Sequence, residues 1–264
     1  MSKLLLWAAL AAAQITAMAA PIVYVTNFND PIGFGTVDLS TGVYTAVGTI
    51  DVGELTRGPG GSVFGFRENG DWVSVNASTG ATTFIGASGI AVDEPVHLAD
   101  GTIYATDLSH NLYTINPNTG VATLVGSTGF ADPLGGLFNV ILLGGDTNTL
   151  YAVATSYDGT TFSPIDHARL FQINRSTGAA TFVANAGNDF ITCGLLLSGT
   201  TYVFDFLGGI SALNVGDGGM TSLFDLSSTV GGFHGVADAP EPGSLTLAAF
   251  GAAALGFLGL RRRK

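Results

Sequence analysis

One phrase recurs five times along this chain: VDLSTGVYT, VNASTGATT, INPNTGVAT, INRSTGAAT and a weaker LNVGDGGMT. Its glycines, Gly42, Gly80, Gly120, Gly178 and Gly218, are spaced by 38, 40, 58 and 40 residues. The long interval is too short for an additional unit and reads as one unit enlarged by insertions at Gly144–Asn148 and Ser156–His167. A period near 40 restricts the body to a stack or ring of similar units, because one such unit cannot bury its own apolar face.

The phrase has the physics of a hairpin. An alternating strand runs into a polar corner of Asn or Asp with Ser or Thr, a glycine supplies positive φ, and a Thr-rich strand follows. Before the later phrases stand GSVFGF, GTIYAT, NTLYAV and GTTYVF, each a β-rich run opened by turn residues, and before those the pieces ELTRG, PVHLA, GGLFNVILL and TCGLLL. Four strands in about 40 residues is the signature of a propeller blade. The chain enters at PIVYVTN, which corresponds to the second strand of a blade, and GGFHGVAD stands where a sixth first strand belongs. The spacing therefore predicts an all-β body over residues 20–238, a five-bladed β-propeller closed by a C-terminal strand that completes the N-terminal blade. A β-solenoid or open sandwich is the structural alternative. The repeats resemble bacterial propeller repeats of the LYxIN-x-x-TG-x-x-T kind without singling out one family.

Charge narrows the partners. Five of the nine cations, Lys3 and Arg261 to Lys264, stand in the terminal segments, leaving four arginines against all 20 carboxylates between them, a net of −16. Such a surface repels phosphate backbones, so no nucleic-acid partner is expected. A neutral glycan or Ca²⁺ would be tolerated, although no motif supports the cation and no cofactor is expected. Cys193 is alone, which leaves no intramolecular disulfide and no cysteine-based zinc site, and its apolar neighbours predict a buried thiol.

Two segments read as addresses. Residues 1–19 combine Lys3, an apolar run and small residues at Ala17 and Ala19, the pattern of a secretory signal peptide cleaved after Ala19. At the other end, Pro240, Glu241, Pro242 and Gly243 break any strand, and Leu245 to Leu260 form sixteen uncharged residues. As a helix they would measure roughly 24 Å, enough to cross a slightly thinned bilayer. The cluster Arg261, Arg262, Arg263 and Lys264 would then stay on the cytoplasmic side. Together, residues 239–264 resemble the PEP-CTERM sorting signal of Gram-negative bacteria. The resemblance implies recognition by a membrane transpeptidase of the exosortase type, a transient membrane helix, and release or transfer of the body to the cell surface, often in species that make exopolysaccharide.

Catalytic motifs are missing from the sequence. The four histidines, His97, His110, His167 and His234, form no zinc-binding spacing, and neither G-x-S-x-G nor a phosphate-binding glycine loop occurs. Repeat alignment offers one constellation: Glu54 and Glu94 each lie seven residues before a turn glycine, Gly61 and Gly101. Both belong near the start of innermost strands, and His97 and His234 fall on such strands too. Paired carboxylates there could serve as acid and base on a glycoside or help to hold Ca²⁺; solvated loop carboxylates and packed histidines are the plainer readings. Asp38, Asn76, Asn116, Asn174 and Asn214 recur as well, and their place before a tight turn explains them as turn makers.

The function expected from these features is that of an exported, non-enzymatic propeller, binding exopolysaccharide or a surface protein at the cell surface or in the extracellular matrix. A glycosidase or lyase acting on an extracellular glycan is the alternative, and a structural matrix protein without a discrete ligand is the third reading.

Overall fold

The computed structural model describes residues 21–29, 31–130, 137–145, 149–158, 160–161 and 163–239. The predicted signal peptide, Pro240, Glu241 and Pro242, the apolar segment 245–260 and the basic cluster Arg261 to Lys264 lie outside these residues. Among the described residues no helix is long and apolar enough to cross a membrane.

The body is all-β, with five four-stranded antiparallel sheets arranged as the blades of a propeller. Blade I contains β1 (Ile22–Asn27), β2 (Gly33–Asp38) and β3 (Val43–Thr49), and its innermost strand is the last of the body, β20 (Phe233–Asp238). Blade II runs through β4 (Leu55–Arg57), β5 (Val63–Phe66), β6 (Asp71–Val75) and β7 (Thr82–Ala87). Blade III comprises β8 (Val92–His97), β9 (Ile103–Asp107), β10 (Asn111–Ile115) and β11 (Ala122–Ser127). In blade IV, the enlarged unit, β12 (Leu137–Gly144) and β13 (Leu150–Tyr157) are eight residues each, followed by β14 (Arg169–Ile173) and β15 (Ala180–Asn185). Blade V holds β16 (Ile191–Leu197), β17 (Thr200–Asp205), β18 (Gly209–Leu213) and β19 (Met220–Asp225).

β20 pairs with β1 in the register Val23 to Asp238 and Val25 to Val236. The innermost strands β4, β8, β12, β16 and β20 each touch the next around the ring, and β20 touches β4 again. Burial follows the same circle. Phe34, Leu55 and Val73 fill the junction of blades I and II; Phe66, Trp72 and Ile103 that of II and III; Leu98, Val140 and Leu150 that of III and IV; Ile141, Leu170 and Val203 that of IV and V. The fifth junction, between V and I, is filled by Val25, Phe204, Phe233 and Cys193, the thiol being wholly buried and pushed up in pKa chiefly by that burial. Each blade thus covers its faces only with its neighbours, which is why the strand lent by the C-terminal end matters to the whole ring.

The repeated phrase is the turn between the third and fourth strands. Gly42, Gly80, Gly120, Gly178 and Gly218 all take φ between 72° and 80°. Asp38, Asn76, Asn116, Asn174 and Asn214 each accept a hydrogen bond from the backbone N–H two residues on, at 2.8–2.9 Å. The pairing of third and fourth strands also shifts register once in every blade, at Phe34/Gly35, Trp72/Val73, Leu112/Tyr113, Leu170/Phe171 and Ile210/Ser211. A bulge at the same point in all five sheets adds twist at the same radius. Blades are also stitched together at this radius. Trp72, fully buried, donates from Nε1 to the Pro117 carbonyl of the next blade's turn at 3.1 Å.

Candidate functional site

The ring has two ends. At the upper end the innermost strands begin and the second strands finish; at the lower end the innermost strands finish.

At the upper end β4 and β20 approach through paired glycines. A Cβ at Gly235 would fall 2.4 Å from the Gly53 carbonyl oxygen, and one at Gly53 would fall 2.1 Å from His234 Cε1. The missing side chains let the His234 ring lie over Gly53 and place its Nε2 3.1 Å from Glu54 Oε1. Thr26 Oγ1 donates to the Gly53 carbonyl and fixes the same turn from blade I. Phe28 stacks on the other side of the imidazole, with centroids 4.4 Å apart, and meets Phe206 of blade V at 5.0 Å. Both phenylalanines are large and accessible, 43% and 52% exposed.

Blade III brings two further carboxyls to this end. Asp93, half-buried in β8, has its pKa raised to about 7 by burial first and then by the charge of Glu54, partly offset by the Glu94 N–H it accepts at 3.2 Å and by His234. Glu94 is 2% exposed and is held well above the usual carboxylate range, again by burial first and then by Glu54 and Asp93. The charges of Glu54 and Asp93 thus add to burial in raising Glu94. Among the described residues no group of three or more His, Cys, Asp or Glu side chains is arranged to hold a metal ion.

The lower end is built from equivalent positions of four blades. Asp238, Arg57, His97 and Leu196 pair with Val23, Val63, Ile103 and Thr201, which pair on their other side with Val37, Val75, Ile115 and Leu213, each the residue just before a turn Asp or Asn. Arg57 and Asp238 form an ion pair across blades I and II. These residues, with Asp100 and Ser198, border a cavity of about 820 Å³. The His97 imidazole is driven below its ordinary pKa by burial, with Arg57 acting in the same direction and Asp238 and Asp100 opposing. Asp100 is itself lowered to about 2 by its hydrogen bond with Arg175.

Of the residues singled out in the sequence, Glu54, Glu94 and His234 share the upper end, while His97 lies at the lower one. Asp93, Phe28 and Phe206 were missed. Asp93 adjoins Glu94 in the chain. Phe28 and Phe206 occupy the same place in the turn after the second strand, as does Leu108, 70% exposed. Aligning those turns would have shown an apolar residue at the tip in blades I, III and V.

Comparison with known proteins bears on the two parts differently. Residues 238–264 match the PEP-CTERM protein-sorting motif. That signal marks a protein that is exported, held at the membrane as a precursor and recognised by exosortase. No curated protein matches the chain. Among solved structures, a chain from a nidogen/laminin complex is 13% identical with a TM-score of 0.48, covering 84% of this chain and 98% of that one. A protein of unknown function from Bacteroides caccae is 9% identical with a TM-score of 0.46, covering 84% and 100%. Another of unknown function, from Bacteroides thetaiotaomicron, is 15% identical with a TM-score of 0.50, covering 78% of this chain and 58% of that one. The last is a likeness of fold and nothing more.

Proposed function

We propose that the propeller is a non-catalytic glycan-binding module of this exported protein and takes extracellular polysaccharide at its upper end. The observation that carries the reading is the pair of exposed rings, Phe28 and Phe206, in contact with one another beside the His234–Glu54 pair. Apolar faces next to fixed hydrogen-bonding groups suit a sugar, whose C–H face stacks on a ring while its hydroxyls reach carboxylate and imidazole. Binding to a surface protein would use the same accessible residues.

Hydrolysis is the second reading, and one observation favours it: Asp93, with its raised pKa, lies near Glu54. A protonated acid beside a carboxylate is what a glycosidase requires. The pair suggested by the repeat, Glu54 and Glu94, serves less well, since Glu94 at 2% exposure is not presented to a substrate. The test is to incubate the full chain with the producing cell's own exopolysaccharide and follow both co-sedimentation and release of reducing ends. Co-sedimentation without new reducing ends is the expected result. New reducing ends that vanish in Asp93→Asn would establish the hydrolytic reading instead.

A further inference from the structure

The cavity at the lower end receives residues from all five blades, and its volume of about 820 Å³ lies in the roughly 300–1,000 Å³ range of small-molecule sites. Arg57, His97, Leu196 and Asp238 stand at matching positions of the innermost strands and converge on it. The turns beyond them carry Gly60, Gly101 and Gly199 at φ 71°, 88° and 83°, and a Cβ at any of the three would meet nothing within 4 Å. The mouth is therefore open, with bare backbone at its rim.

Its wall holds polar groups that the fold leaves idle. The His97 side chain is half-buried, and among the described residues its ring nitrogens make no hydrogen bond. Arg57 uses Nη1 for Asp238, and among the described residues its other guanidinium nitrogens have no partner. Half-buried donors and acceptors of this kind gain from a ligand that supplies both. Ser198 borders the same cavity at φ 51°, in the region that favours glycine. A hydroxyl is thus kept on this wall at a backbone cost that glycine would avoid.

Charge decides the class of ligand. Among the described residues, Arg57 at this end is matched by Asp238, and Asp100 by Arg175. An anionic sugar would gain Arg57 only against Asp238 and Asp100, and an ammonium would meet the guanidinium. A hydroxyl suffers neither penalty, since it donates to a carboxylate and accepts from Arg57 or His97. Leu196, at the fourth matching position, offers apolar contact to the C–H face of a sugar ring.

We propose that the lower mouth is a second ligand site and takes a neutral hexose oligosaccharide, with Arg57, His97 and Asp238 binding adjacent hydroxyls of one ring while Leu196 packs on its C–H face. The site stands independently of what the upper end binds. One consequence does rest on the glycan-binding reading of that end: a single propeller then has sites at both ends and joins two polysaccharide strands.

The experiment follows the histidine Cε1–H NMR signals of the full chain in a zwitterionic detergent without sugar, at about pH 8, where His97 is neutral. His97→Asn and His234→Asn assign the signals that report the lower and upper ends. Cellotetraose, mannotetraose and maltotetraose are added in separate titrations, as are the galacturonate and glucosamine tetramers. At least one neutral tetramer is expected to move the His97 signal saturably at millimolar concentration, and the two charged ones to bind about tenfold more weakly. Arg57→Gln should weaken the neutral tetramer about tenfold, the loss of a charged donor, with folding checked by unchanged His110 and His167 signals. Ala99→Trp, at an exposed position bordering the same cavity, leaves the Arg57–Asp238 pair in place and should abolish the shift by filling the mouth. A His97 signal unmoved by all three neutral tetramers would overturn the proposal, whatever happens at His234. So would tighter binding of either charged tetramer, or a shift that survives undiminished in either folded variant.

Discussion

His234 Nε2 lies 3.1 Å from Glu54 Oε1, so the strand that closes blade I is joined by a side-chain contact to the residue that leads into the first strand of blade II, as well as by packing. Both groups are partly exposed, 28% and 22%, and water screens their attraction. Glu54→Gln is expected to change unfolding stability by less than about 1 kcal/mol, measured by urea unfolding with tryptophan fluorescence. A larger loss would make the pair a structural seam and weaken the case for a ligand there.

Stability should pass through a maximum in mildly acidic solution. Asp93 titrates near 7 in the folded protein against an ordinary 3.8, so the folded state holds a proton that the unfolded chain releases. Its contribution is full below about pH 4 and falls as pH rises through 7. Asp100, lowered to about 2, acts oppositely: its contribution is present above about pH 4 and is lost as pH falls towards 2. Asp93→Asn should raise stability at pH 8 by something on the order of 3 kcal/mol, and leave it nearly unchanged at pH 4. Urea midpoints at both pH values check this, and an equal shift at the two would refute it. Glu94, raised in the same direction, keeps a residual slope in the variant.

Phe233→Ala tests the closure. The ring is fully buried at the junction of blades V and I and meets Phe204 edge-on at 5.2 Å. Its removal should cost about 3–5 kcal/mol. Thermal unfolding of the full chain would show a large fall in midpoint; a variant as stable as the parent would mean that β20 contributes little to the ring.

Two glycines separate backbone strain from packing. Gly89 and Gly120 have nearly the same φ, 79° and 75°, but a Cβ at Gly89 meets nothing within 4 Å while one at Gly120 falls 2.6 Å from Trp72 Cβ. Gly89→Ala should cost about 1 kcal/mol, the left-handed strain alone. Gly120→Ala should cost at least about twice that, since it also drives into a packed indole. Equal losses in chemical denaturation would show that the contact yields.

Replacing Pro240, Glu241 and Pro242 with alanines should leave the full-length precursor in the membrane fraction, seen as an unprocessed band in an immunoblot. Normal processing of that variant would show that these residues are dispensable for sorting.

The repeat was legible because its signal is local. An Asn or Asp followed by Ser or Thr and a positive-φ glycine specifies the turn within five residues, and the enlarged interval and the displaced last strand follow from counting. The site was harder to read, because height along a strand depends on pairing register. His97 and His234 are both on innermost strands, yet one ends β8 and the other begins β20, which places them at opposite ends of the ring. Asp93 and Glu94 sit where the pairing of β8 with β9 shifts, between Asp93 and Val96, and nothing in VDEPVH announces that shift except its proline. Burial of Glu94 and partial exposure of Asp93 arise from packing against other blades, which no local pattern encodes.

Blades II to V are each made from one continuous stretch, whereas the pairing of Val23 with Asp238 must wait for the far end of the chain. Until β20 arrives, β1 presents an open inner edge with the sequence IVYVTN, which has no charge and no proline to discourage another strand. The best complement to that edge is β20, and every neighbouring molecule carries one. At high local concentration, two chains that exchange these strands would each complete the other's first blade, satisfying the same hydrogen bonds at little added cost. Strand exchange of this kind would turn a ring sealed within one chain into a linkage between chains.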